Sequence, residues 1–191
     1  MSAEVVVTSL TRHLAPRLSA EAAGAAAIGF MRSAAARVGR PIEWDERADA
    51  PRLARDVSRE AERALLQAAV HLDDAPGADG AWRDLDPARD EAVSAARLRL
   101  RRTRFPHLVR ADEIFLPTGF DRPIELLKTA IGATVLGSSS RLLAELEQVR
   151  DELAHRGGPA SASIEAALAP FLELARASVE RRLPLIRTAR S

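Results

Sequence analysis

The apolar positions of this chain recur mostly at helical spacing, and read in order they predict six helices. Val6, Leu10 and Leu14 keep that spacing until Pro16, which assigns the β-branched run Val5-Val6-Val7 to a short first helix. Ser19 caps a second, with a stripe of Ala23, Ala27, Phe30, Ala34 and Val38 closed by Gly39 and Pro41. A third begins near Pro51 and carries Leu53, Val57, Ala61, Leu65, Ala68 and Leu72. Asp86 before Pro87 opens a fourth, which runs to about Arg104. From Phe105 to Phe120 the rhythm fades and Pro106 and Pro117 intrude, so this stretch reads as a long connection with room for one helical turn.

Asp121 and Pro123 start the longest helix, through Ile124, Leu127, Ile131, Val135, Ser138, Leu142, Leu146, Val149 and Leu153. Its spacing approximates an eleven-residue period, and the lack of charge around Ala130 to Gly137 places it at the centre. Gly157-Gly158-Pro159 ends it. A last helix runs through Ile164, Leu168, Phe171 and Ala175, with Pro170 expected to kink or divide it. Residues beyond Pro184 read as a tail with Leu185 and Ile186 exposed. The expected fold is therefore all-α: a single compact bundle of about six helices around a central helix near 122–155. Residues 1–191 form one domain in this reading, with 184–191 as a flexible tail.

Composition narrows the chemistry more than it identifies it. The absence of cysteine excludes disulfides, thiolate metal sites and a cysteine nucleophile. Twenty-eight bases against 27 acids leave a net charge of +1, so no global field draws the chain to nucleic acid or to an anionic membrane. Lys128 is the lone lysine, an arginine bias that suggests GC-rich bacterial coding. No run approaches the roughly 20 apolar residues that span a bilayer, and residues 1–14 do not read as a secretory signal. The expected location is cytoplasmic.

The densest acidic stretch lies between the third and fourth helices, where Asp73-Asp74-Ala75-Pro76-Gly77-Ala78-Asp79 fits the pattern DDxPxxD. This resembles the first aspartate-rich motif of trans-prenyltransferases, and the resemblance implies that Asp73, Asp74 and Asp79 hold magnesium against a diphosphate. The chain departs from that family in having only Arg83 where paired arginines follow the motif, and in lacking a second DDxxD. Ala54 to Arg63 looks like a helical motif of corrinoid adenosyltransferases, without the phosphate-binding elements near the start. Arg97, Arg101 and Arg104 belong to a basic cluster that could meet nucleic acid, although arginines at a helix end also complement its dipole. Glu152 and His155 form a single E-x-x-H pair, half of what a di-iron bundle needs.

Aromatic residues in connections offer the remaining surface candidates. Trp44, Trp82, Phe105, Phe115 and Phe120 all fall outside the helical stripes and are expected to form an interaction surface. By elimination, the sequence reads as a non-catalytic interaction or regulatory protein of a bacterial cytoplasm that self-associates. Its partner is a protein or a second copy, no cofactor and no membrane are expected, and nucleic acid is not an expected partner. The alternatives are magnesium-dependent binding or turnover of a phosphorylated ligand at the aspartates, and weak nucleic-acid binding at the arginines.

Overall fold

Val5 and Val7 are buried against one helical layer and Val6 against another, an alternation that belongs to a strand covered on both faces. The computed structural model describes residues 2–73, 86, 89–99, 102–127, 129, 132–155 and 162–189. In chain order the described elements are β1 (Ser2–Val7), α1 (Leu10–Leu14), α2 (Ala20–Val38), β2 (Leu53–Ser58), α3 (Arg59–His71), α4 (Glu91–Arg97) and α5 (Pro106–Arg110). They continue as β3 (Ile114–Leu116), β4 (Ile124–Leu126), β5 (Thr134–Ser138), α6 (Ser139–His155), α7 (Ala162–Arg181) and β6 (Leu185–Ala189). The fold is α/β, with a six-stranded mixed sheet, and not the all-α bundle that the spacing predicts.

The strand order is β2-β1-β6-β3-β5-β4. Only β3 and β5 pair in parallel; every other neighbouring pair is antiparallel. One face carries α3 to α7 over Val5, Val7, Val57, Phe115 and Leu185. The other carries α2, whose Ala27, Phe30 and Ala34 meet Val6, Ile114, Leu116, Leu136 and Ile186. The second helix is as the sequence predicts: Ser19 accepts from Ala22 N, Ala23, Ala27, Phe30 and Ala34 face inward, and Gly39 ends it with φ of 77°.

Each departure from the bundle has a local cause. Residues 5–7 form a strand because two helical layers bury them, and α1 starts only at the Ser9 cap. Likewise Leu53–Ser58 is β2, and Ser58, accepting from Ala61 N, opens α3. This boundary cuts through Ala54 to Arg63, so the likeness to a corrinoid-enzyme helix does not survive. The helix expected over 122–155 divides into β4, β5 and α6. Gly132, at φ of 96°, breaks it, and the weakly charged 134–138 run is an inner strand of the sheet. Gly137 faces Phe115 across the parallel pair, where a Cβ would overlap the ring and crowd Ala111.

The fourth helix is shorter than expected, starting at the Asp90 cap and ending at Arg97. Helix α7 passes through Pro170 without dividing. The C-terminal residues expected as an exposed tail form β6, with Leu185 at 0% and Ile186 at 2% exposure. Truncating Leu185 to Ala should therefore cost about 2–5 kcal/mol in urea unfolding, whereas Leu98→Ala should change stability by less than about 0.5 kcal/mol. A near-zero loss at Leu185 would contradict this placement of β6.

Candidate functional site

Both ends of the acidic stretch are fixed beside the C-terminal end of α3, one by Arg104 and the other by α3 itself. At the start of the stretch, Asp73 Oδ1 lies 2.7 Å from Arg104 Nε, and Asp73 Oδ2 accepts from the Arg104 backbone N–H at 3.1 Å. The same guanidinium donates from Nη2 to the Leu72 carbonyl at 2.7 Å and from Nη1 to Glu152 at 2.8 Å. It also lies over the Phe105 ring, 5.2 Å from the centroid. At the far end, Asp90 Oδ2 accepts from Gln67 Nε2 at 2.9 Å and lies 2.8 Å from His71 Nε2. Its other oxygen caps α4 through the backbone N–H groups of Ala92 and Val93. Burial would raise the Asp90 pKa, but the bonds from Gln67 and His71 outweigh it and hold the carboxyl below its ordinary value.

The carboxyl ends of β1, β3 and β5 share one edge of the sheet, where polar side chains are buried. His107 Nδ1 accepts from Ser138 N at 3.0 Å. Its Nε2 is buried without a hydrogen-bond partner among the described residues, and its ring meets Phe120 edge-on at 5.5 Å. Glu145 accepts from the backbone N–H groups of His107 and Leu108 at 3.1 and 2.7 Å, closing the N-terminus of α5. Ser178 donates to the Leu183 carbonyl at 2.6 Å and lies 2.7 Å from the Ser139 hydroxyl, and Thr8 Oγ1 is buried without a partner among the described residues. Burial pushes His107 down to about 4 and Glu145 up to about 7.

The residues singled out from sequence fall into several settings. Phe105 and Phe115 are core residues at 0% and 1% exposure, and Trp44 packs edge-on against Phe30 while donating to Glu46. Phe120 is half-buried against His107. Trp82, Asp74, Asp79 and Arg101 lie outside the described residues. Asp73 and Arg104 are bonded to each other, and Arg97 lines a separate cleft with Arg59 and Arg63. Among the described residues no cluster of His, Cys, Asp and Glu could hold a metal ion. Glu152 bonds Arg104, and His155 Nδ1 faces the Asp151 carbonyl, so the E-x-x-H pair serves two different contacts.

Gln67, His71, Asp90, His107 and Glu145 are absent from the residues that sequence spacing singled out. One signal was available: Gln67 and His71 stand four apart on one helix face, whereas Asp90 as the start of α4 competes with the stronger start signal of Asp86-Pro87.

The architecture is that of an α/β protein with helices on both faces of a mixed sheet and an acidic stretch anchored at one helix end. Residues 1–187 match the model of a family described as "Putative DNA-mimic protein", and the chain belongs to that family. No curated protein and no solved structure matches it. Membership overturns the reading as a self-associating helical regulator and favours neither of its alternatives, magnesium-dependent phosphoryl chemistry or nucleic-acid binding. No helix among the described residues is long and apolar enough to cross a membrane.

The His107–Glu145 pair gives a test of the buried edge. Folded His107 excludes a proton that the unfolded chain takes up below its ordinary 6.5, so its contribution to stability rises with pH from about 4 to 6.5. Folded Glu145 keeps a proton that the unfolded chain releases above 4.5, so its contribution falls as pH rises from 4.5 to about 7. The two oppose each other between pH 4.5 and 6.5. Relative to the parent, Glu145→Gln should make the urea midpoint climb across this window, and His107→Gln should make it fall. Slopes of the same sign in both variants would exclude this pairing of effects.

Proposed function

We propose that the protein binds a DNA-binding protein on the surface that otherwise holds DNA, through the acidic stretch that begins at Asp73. The family match over residues 1–187 carries this reading. Charge decides what form the mimicry takes. Duplex DNA presents one negative charge per about 1.7 Å of its axis, a density that a chain of net charge +1 cannot offer over its whole surface. Local charge is another matter: residues 73–91 hold seven acids and two arginines, whereas 92–110 hold six arginines and no acid. A basic DNA-binding groove is attracted by the first stretch and repelled by the second, which sets the orientation of approach.

Asp73 and Asp90 serve as anchors, so the charge offered to a partner comes from the acids between them and from Glu91, exposed at the start of α4. Fixing one end at Arg104 and the other on α3 limits the ordering cost of binding. A DNA-binding partner also agrees with a cytoplasmic location.

The test uses proteins recovered from a duplex-DNA resin and passed over the immobilised chain. A retained protein should be released by free duplex and by moderate salt. Asp79→Asn with Asp84→Asn and Asp86→Asn should weaken retention by about tenfold or more and reduce its salt sensitivity, while Glu165→Gln with Glu180→Gln should change neither. Retention that duplex does not compete, or equal losses in both variants, would overturn the proposal.

A further inference from the structure

A second charged feature lies apart from the acidic stretch. Arg99, Arg102, Thr103, Pro106, Arg110, Asp121, Arg122 and Pro123 line an open cleft of about 690 Å³, within the size range of small-molecule sites. Four of these eight side chains are guanidinium groups, against a single carboxylate.

The two nearby acids are already engaged. Asp121 pairs with Arg141, which is not among the lining residues, and Glu125 pairs with Arg99 at 2.6 Å. Arg102 and Arg122 are exposed and have neither a hydrogen bond nor an ion pair among the described residues. Arg110 is half-buried and held by the Ala96 carbonyl at 3.0 Å. Burial, and then the neighbouring Arg99 charge, lower its pKa. Arg99 itself is held at φ of 63°, a conformation uncommon for a side chain of this kind. Like charges are thus gathered around a concavity without enough carboxylate to balance them, and an anion placed there relieves the repulsion.

We infer that this cleft binds a small phosphoryl-bearing anion without a metal ion. The planar fork of arginine matches two oxygens of a phosphate group at once, and several forks around one cleft favour a ligand with more than one such group. The cleft is bounded by α5, the 117–123 connection and the segment that follows α4. It uses none of the acids between Asp73 and Asp90, so this inference and the proposed function stand or fall separately.

The test is calorimetric titration with inorganic pyrophosphate, inorganic phosphate and a 20-base-pair duplex, each in chloride buffers of matched ionic strength. Pyrophosphate should bind saturably and more tightly than phosphate. Arg102→Ser with Arg122→Ser should weaken it by about tenfold or more, whereas Arg59→Ser with Arg63→Ser, on another cleft, should leave it unchanged. Any of three results overturns the inference: no saturable pyrophosphate binding at matched ionic strength, equal loss in both variants, or duplex binding through Arg102 and Arg122 without pyrophosphate binding.

Discussion

Insertion of β6 between β1 and β3 is the constraint on which the rest of the molecule depends. It joins the β2-β1 pair to the β3-β5-β4 group, which otherwise share no strand pairing among the described residues. Leu185 seals one face and Ile186 the other, so a segment of a few residues completes both cores. Arg187 then reaches across to Glu62 of α3 and to the carbonyls of Ala111 and Asp112. Both ends of the Glu62–Arg187 pair are largely buried, so removing one partner leaves a charge with little water around it. Helix α3 is thereby fixed to the sheet, and its last turn presents Gln67 and His71 to Asp90 at a defined place.

The near-zero net charge of the chain conceals strong segregation along its sequence. Acids are concentrated from Asp73 to Glu91 and arginines from Arg97 to Arg110. Arg104 links the two stretches by bonding Asp73 and Glu152, which spends charge from both on holding the chain together. What is left on each side differs in sign. A partner sees one or the other within a screening length of about 8–10 Å, not the sum. The proposed mimicry of DNA is therefore directional and short-ranged.

Helices with a one-sided apolar stripe were legible in the sequence, and buried strands were not. The stripe of α2 and its caps Ser19 and Gly39 follow from spacing and turn chemistry alone. By contrast, Leu136, Leu185 and Ile186 sit in short buried strands, and a short apolar run of that kind looks the same in a strand as in a helix. The β-branched valines at 5–7 carried the strand signal, but the following Leu10 and Leu14 extended a helical rhythm across the β1–α1 boundary. At the site, the acidic stretch was visible as composition. Its anchors were not, since pairing Gln67 and His71 with Asp90 depends on how α4 returns onto α3. His107 and Glu145 stand 38 residues apart and meet where α5 packs on α6.

Amide hydrogen exchange of the chain, free and bound to a duplex-displaceable DNA-binding protein, tests the central claim most directly. Protection on binding should concentrate between Asp73 and Glu91, with the stretch from Arg97 to Arg110 unchanged. Protection confined to the arginine stretch or to the sheet edge at His107, with residues 73–91 exchanging as in the free chain, would contradict it.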